Sequence, residues 1–120
     1  MGSVNEYSPI VEYVAVTIAQ TASLSGAADL GGASLVAVAM PAAWTAANLT
    51  FQASEDGSTY NNMYDDLGNE YTVTAAASRY IVLDPSKFAG VRWIKARSGT
   101  SSVAVNQTGE RSINLIARPV

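Results

Sequence analysis

Residues 44–60, WTAANLTFQASEDGSTY, decide how the rest of the chain is read. Leu49, Phe51 and Ala53 alternate with Asn48, Thr50, Gln52 and Ser54, so an extended segment here has one apolar face and one neutral, polar face. That period of two predicts a half-buried strand with Phe51 in the core. The strand runs into Glu55-Asp56-Gly57-Ser58, where Asp and Gly suit a tight reversal. Thr59 and Tyr60 are expected to leave the turn as a second strand.

The same alternation recurs on both sides. Glu12 to Gln20 sets Val14, Val16 and Ile18 against Tyr13, Ala15, Thr17 and Ala19, a first strand. Ser34 to Met40 is an almost wholly apolar run stopped by Pro41, which suits a strand covered on both faces. Ala42 to Ala47 reads as a turn, with Trp44 plugging one end of the fold. Further strands are expected at Glu70–Thr74, at Arg79–Asp84 with Ile81 and Leu83 inward, and at Ser112–Arg118 with Ile113, Leu115 and Ala117 inward. Val91–Ser98 places Trp93 and Lys95 on one face and Ile94 and Ala96 on the other, and its untidy pattern predicts a bulge. A brief strand is expected at Val103–Val105. About eight strands with turn signals at short intervals predict an all-β fold, an antiparallel β-sandwich of jelly-roll type. One domain is expected over residues 12–120, after a flexible arm at 1–11 that contains Pro9.

Composition narrows the function. Charged residues make up 14% of the chain, against roughly 25% in an average soluble domain, while 48% of residues are hydrophobic. Ala, Ser, Thr, Asn and Gly take the place of the usual Lys and Glu, which points to a surface that faces other protein. There is no cysteine and no histidine, so disulfides, Cys/His zinc sites, thiol nucleophiles and imidazole-based triads are excluded. The opening residues show no basic segment followed by an apolar run, and no window is apolar for about eighteen residues; a protein made in the host cytoplasm is expected. Eight acidic and no basic residues precede Arg79, a charge of −8, and the remainder sums to +5. Cross-strand pairing between the halves is the plain expectation, and a head-to-tail contact between copies is the alternative.

Several motifs invite chemistry. Glu55, Asp56, Asp65, Asp66 and Glu70 offer the hard oxygens a Ca²⁺ ion takes, but without EF-hand spacing, so no metal or cofactor is expected. Trp93 amid Arg92, Lys95 and Arg97 has the makings of a nucleic-acid platform, which the net charge of −3 opposes. No pair of carboxylates is fixed at a catalytic separation, and no enzyme activity is expected. Ser54 to Tyr60 resembles the Asp-box of sialidase-like propellers, S-x-D-x-G-x-T-W, but Gly directly follows Asp, Tyr replaces Trp and the segment occurs once. The strand and its turn are also similar to hairpins of galactose-binding-type jelly rolls.

Phe88-Ala89-Gly90-Val91-Arg92-Trp93-Ile94-Lys95, Arg97-Ser98-Gly99-Thr100, Val105-Asn106-Gln107 and Arg111, following the LTFQ.S.DG..Y hairpin, resemble small β-rich virion proteins of tailed bacteriophages and gene transfer agents. The likeness runs over roughly residues 45–118 and implies a structural role in capsid or tail, with no catalytic residues to carry over. It implies a head decoration protein or the base of a head spike or fibre, on the head surface of the virion. The implied partners are the major capsid protein and further copies of the chain, a trimer being favoured. A carbohydrate- or receptor-binding module of a tail or fibre, taking a host-surface glycan, is the rival. Asp56, Tyr60, Trp93, Arg97, Asn106, Gln107 and Arg111 are the candidate contact residues.

Overall fold

A computed structural model describes residues 11–119. Of the arm expected at 1–11, residues 1–10 therefore lie outside the described residues. The described chain forms strands β1 (Glu12–Ile18), β2 (Ala28–Asp29), β3 (Ser34–Ala39), β4 (Leu49–Ser54), β5 (Asn61–Asn62), β6 (Tyr80–Val82), β7 (Trp93–Ser98) and β8 (Arg111–Arg118). A 3₁₀ turn at Pro85–Phe88 is the one helical element among the described residues. The strands make two four-stranded antiparallel sheets, in spatial order β1-β8-β3-β6 and β2-β7-β4-β5. No described helix is long and apolar enough to cross a membrane.

Alternation explains which faces meet. Val16, Ile18, Leu35, Val38, Ile113, Leu115 and Ala117 from the first sheet join Ala28, Leu49, Phe51, Ile94 and Ala96 from the second in one apolar cluster, a sandwich-like arrangement. The expected inward faces of β1, β4, β6 and β8 are thus the observed ones. Asp84 accepts the Ser86 N–H at 3.0 Å and caps the 3₁₀ turn, which delivers Phe88 to the cluster. Phe88 meets Phe51 edge-on at 5.7 Å and Tyr71 at 5.3 Å. Burial raises the Tyr71 phenol above its ordinary pKa.

Four local expectations need correction. Thr59 and Tyr60 are not strand: pairing resumes at β5, with Asn61 opposite Ala53 and Asn62 opposite Gln52. The reason lies in the turn, where Asp56 draws the Ser58 and Thr59 amides onto its own carboxylate. Glu70–Thr74 is no strand either, and its ladder pairing is limited to single bridges, Tyr64 to Glu70 and Leu49 to Val73. Val103–Val105 likewise reduces to a bridge from Gly99 to Ala104. The bulge expected in β7 is absent, since β7 runs in unbroken register along β4 from Leu49↔Ser98 to Ser54↔Trp93. The irregularity falls in β3, where Val36 interrupts the register with β8.

Candidate interaction surfaces

Since Leu49, Phe51, Ile94 and Ala96 fill the core, Thr50, Gln52, Ser54, Trp93, Lys95 and Arg97 point to the outer face of the second sheet, with Asp29 on its β2 edge. The 55–60 turn lies against that face. Ser54 Oγ donates to Asp56 Oδ1 at 2.9 Å, and the same oxygen accepts the Ser58 and Thr59 amides at 2.8 and 2.9 Å. The amides of Thr59 and Ser58, then the Ser54 hydroxyl, hold the Asp56 carboxyl below the usual aspartate range. Gly57 takes φ +78°, and a Cβ there would lie 3.1 Å from Cε2 of Trp93. The turn and the indole are fitted to each other.

Both candidate aromatic platforms on this face are already partnered. The Arg92 guanidinium sits 4.2 Å from the Trp93 ring centroid, and the Lys95 ammonium 4.4 Å from that of Tyr60. Arg92 also donates to Asp29, Nε to Oδ1 at 3.0 Å, a contact that lowers the carboxyl's pKa and raises the guanidinium's. Arg97 is buried despite pointing outward. Its guanidinium donates to Glu70 Oε2 at 3.1 Å and to Asn62 Oδ1 at 2.6 Å, while the Ser101 amide donates to the same Glu70 carboxylate. Thr50, beside it, is fully buried, and its hydroxyl donates to the Gly99 carbonyl at 2.7 Å. In both salt bridges, Arg92–Asp29 and Arg97–Glu70, a base from the second half of the chain meets an acid from the first.

Gln107 and Arg111 belong to a different place. Gln107 has no exposed surface. Its Nε2 donates to the Thr45 carbonyl at 2.9 Å and to Ser98 Oγ at 2.7 Å, and its Oε1 accepts the Thr45 amide at 2.8 Å and Arg111 Nε at 3.1 Å. Main-chain bonds with Thr21 and Ala22 complete the site. A side chain with every amide atom spent inside the fold stitches three loops and the end of β7 together. Asn106 beside it is exposed.

The candidate residues therefore divide. Asp56, Tyr60, Trp93 and Arg97 share the outer face of the second sheet, Gln107 and Arg111 form an internal clamp, and Asn106 stands apart. The acidic residues do not converge: Asp65 Oδ1 accepts the Leu67 and Asn69 amides, Glu70 faces Arg97, and the described residues hold no group of three metal-ligating side chains. A depression of about 260 Å³ lies beside the turn, lined by Ala53, Ser54, Glu55, Asn61, Gly90 and Val91.

Sequence reasoning passed over the opposite face. On the outer side of the first sheet the register forms two cross-strand rows, Tyr13·Ile116·Ala37·Val82 and Ala15·Asn114·Ala39·Tyr80. Neither row contains a charge. Tyr13, Tyr80 and Val82 stay 70%, 63% and 79% exposed at the two edges, around a floor of small and buried side chains. The signal was present in the second phase of the alternation, Tyr13-Ala15-Thr17 and Tyr80-Val82, where no Lys or Glu occupies an outward position. Compared with protein-family models, with curated proteins and with solved structures, the chain matches none.

Proposed function

We propose that this chain is a non-enzymatic structural subunit of a virion, a jelly-roll sandwich that lies on the capsid lattice at the head surface and associates with further copies of itself. The observation that carries the reading is the pair of uncharged cross-strand rows on the outer side of the first sheet. A four-stranded surface edged by the exposed Tyr13, Tyr80 and Val82 is an unusual thing for a solitary molecule to show water, and a natural one to press on protein. Strand orders β1-β8-β3-β6 and β2-β7-β4-β5 support the jelly-roll assignment, because each sheet alternates between the first four and the last four strands, as a rolled double Greek key does. The likeness of residues 45–118 to virion proteins supplies the lattice as partner.

The rival, a glycan-binding module of a tail or fibre, needs Trp93 or Tyr60 as a stacking surface for a sugar. Arg92 and Lys95 on those rings weigh against it. Nucleic acid is disfavoured on similar grounds, with Arg92 and Arg97 each bound to a carboxylate.

Co-sedimentation with emptied capsids that lack this protein tests the proposal. Binding at fixed stoichiometry is expected, and Val82→Lys or Tyr80→Lys should abolish it while leaving the melting temperature within a few degrees. Failure to bind capsids, combined with a positive glycan array that Trp93→Ala silences, would transfer the assignment to the rival.

A further inference from the structure

The four sheet edges are unequal. Three are blunted by length, β2 and β5 at two residues each and β6 at three, whereas β1 has seven and is free of proline, lysine and bulge. Natural sheets shield long regular edges because the unpaired amides and carbonyls recruit another strand.

The hydrogen-bond pattern shows which groups β1 leaves outward. Met40 N–H donates to the Arg79 carbonyl and Leu83 N–H to the Val36 carbonyl, so Val36, Val38 and Met40 turn their backbone groups to the β6 side. Ala37 and Ala39 must then face β8, where they pair with Ile116 and Asn114; Ile113, Leu115 and Ala117 face β1. Their partners Val16, Val14 and Glu12 bond inward, and Tyr13, Ala15 and Thr17 present N–H and C=O to the open side. The Gly26 N–H donating to the Thr17 carbonyl at 3.3 Å independently agrees, and it places the Gly26 loop over that end of the edge. Tyr13 and Ala15 remain, with no backbone partner for their outward groups among the described residues.

We propose that this edge pairs with β1 of a second copy across a two-fold axis at Val14, so that two first sheets continue into one. That register sets Tyr13 opposite Ala15 of the other copy, and the pair exchanges both hydrogen bonds; its symmetry mate does the same. All four outward donors and acceptors of each copy are used. The side chains agree: the Tyr13 ring lies over a small Ala, Val14 meets Val14, and Glu12 falls opposite Val16 rather than its own like charge. The contact is isologous and closes at two copies, so the trimer implied by the family likeness would require a different surface. It also extends the uncharged outer rows across both molecules. The proposal does not depend on the virion reading, since it is measured without capsids.

Analytical ultracentrifugation of the full chain is expected to show a dimer. Ala15→Pro removes one outward N–H and leaves the β1–β8 bonds in place, so it should yield a monomer with little change in melting temperature. Should proline disturb the fold, Ala15→Lys sets a charge at the same edge and should act alike. The native chain has no cysteine, so Tyr13→Cys with Ala15→Cys reports the register: intermolecular disulfides are expected in the double variant and none in Ala15→Cys alone, whose sulfurs sit too far apart. A monomeric full chain, a dimer that survives both Ala15 variants, or a dimer that forms only after residues 1–10 are deleted would each overturn the proposal.

Discussion

The two sheets bury similar inner faces and present opposite outer ones. Over the second sheet, Arg92 meets Asp29, Lys95 covers Tyr60, and Arg97 is closed in by Glu70 and Asn62, so charge is used within the molecule. Over the first, two cross-strand rows carry no charge, with Tyr13, Tyr80 and Val82 exposed at the edges and Ala37 and Ile116 buried between them. The low charge of the whole chain is thus the average of a face whose charges pair within the molecule and a face whose two rows carry none.

The contrast is broken most directly at the core both sheets share. Phe51→Ala empties a site with no exposed surface and removes the edge-on contact with Phe88, and should cost about 3–5 kcal/mol in chemical denaturation. A loss under about 1 kcal/mol would mean that the second sheet is not packed on the first through β4. Next in size, Arg97→Ala strands the Glu70 carboxylate, 13% exposed, without its cation and should cost about 3 kcal/mol. Tyr80→Ala, on the bare face, should stay within about 0.5 kcal/mol. Equal losses for the two would erase the distinction between the faces.

Gln107→Ala comes third, at about 2 kcal/mol, since it leaves the Thr45 amide and Ser98 hydroxyl without their partner inside the fold. A variant as stable as the native chain would show that water replaces the amide and that the clamp is surface. This residue also marks where the sequence stops being legible. Val16 and Ile18 in β1, and Ile113 and Leu115 in β8, announce their direction by local alternation, and so the strands and the inward faces can be read directly. Gln107 can be read only as a polar loop residue, because Ser98 and Thr45, which bury its amide, lie 9 and 62 positions away and nothing local encodes them. Thr50 misleads for the same reason, as its outward position is covered by a loop that arrives from Gly99. The bare face was hidden differently: its residues were in view, but only the pairing of β1, β8, β3 and β6 brings them side by side.

The smallest effect is the most selective, because it concerns one exposed oxygen. Asp56 closes the turn that seats Gly57 against Trp93, and its carboxyl is held below the ordinary value by the Thr59 and Ser58 amides and the Ser54 hydroxyl. A carboxyl whose folded pKa is depressed stabilises the fold fully above the unfolded value, about 3.9, and loses that contribution as pH falls through the lower folded value. Asp29, Asp65 and Asp84 are lowered too, so a simple acid melt mixes four groups. Asp56→Asn separates them, since its side-chain oxygen can accept the same amides and does not titrate near pH 4. The difference in melting temperature between native chain and variant should be positive and constant from pH 7 to about 5, then shrink toward zero as pH drops below about 4. A difference that stays level down to pH 2 would show that the negative charge plays no part in the turn, and the outer face of the second sheet would then lose one of the contacts that distinguish it from the first.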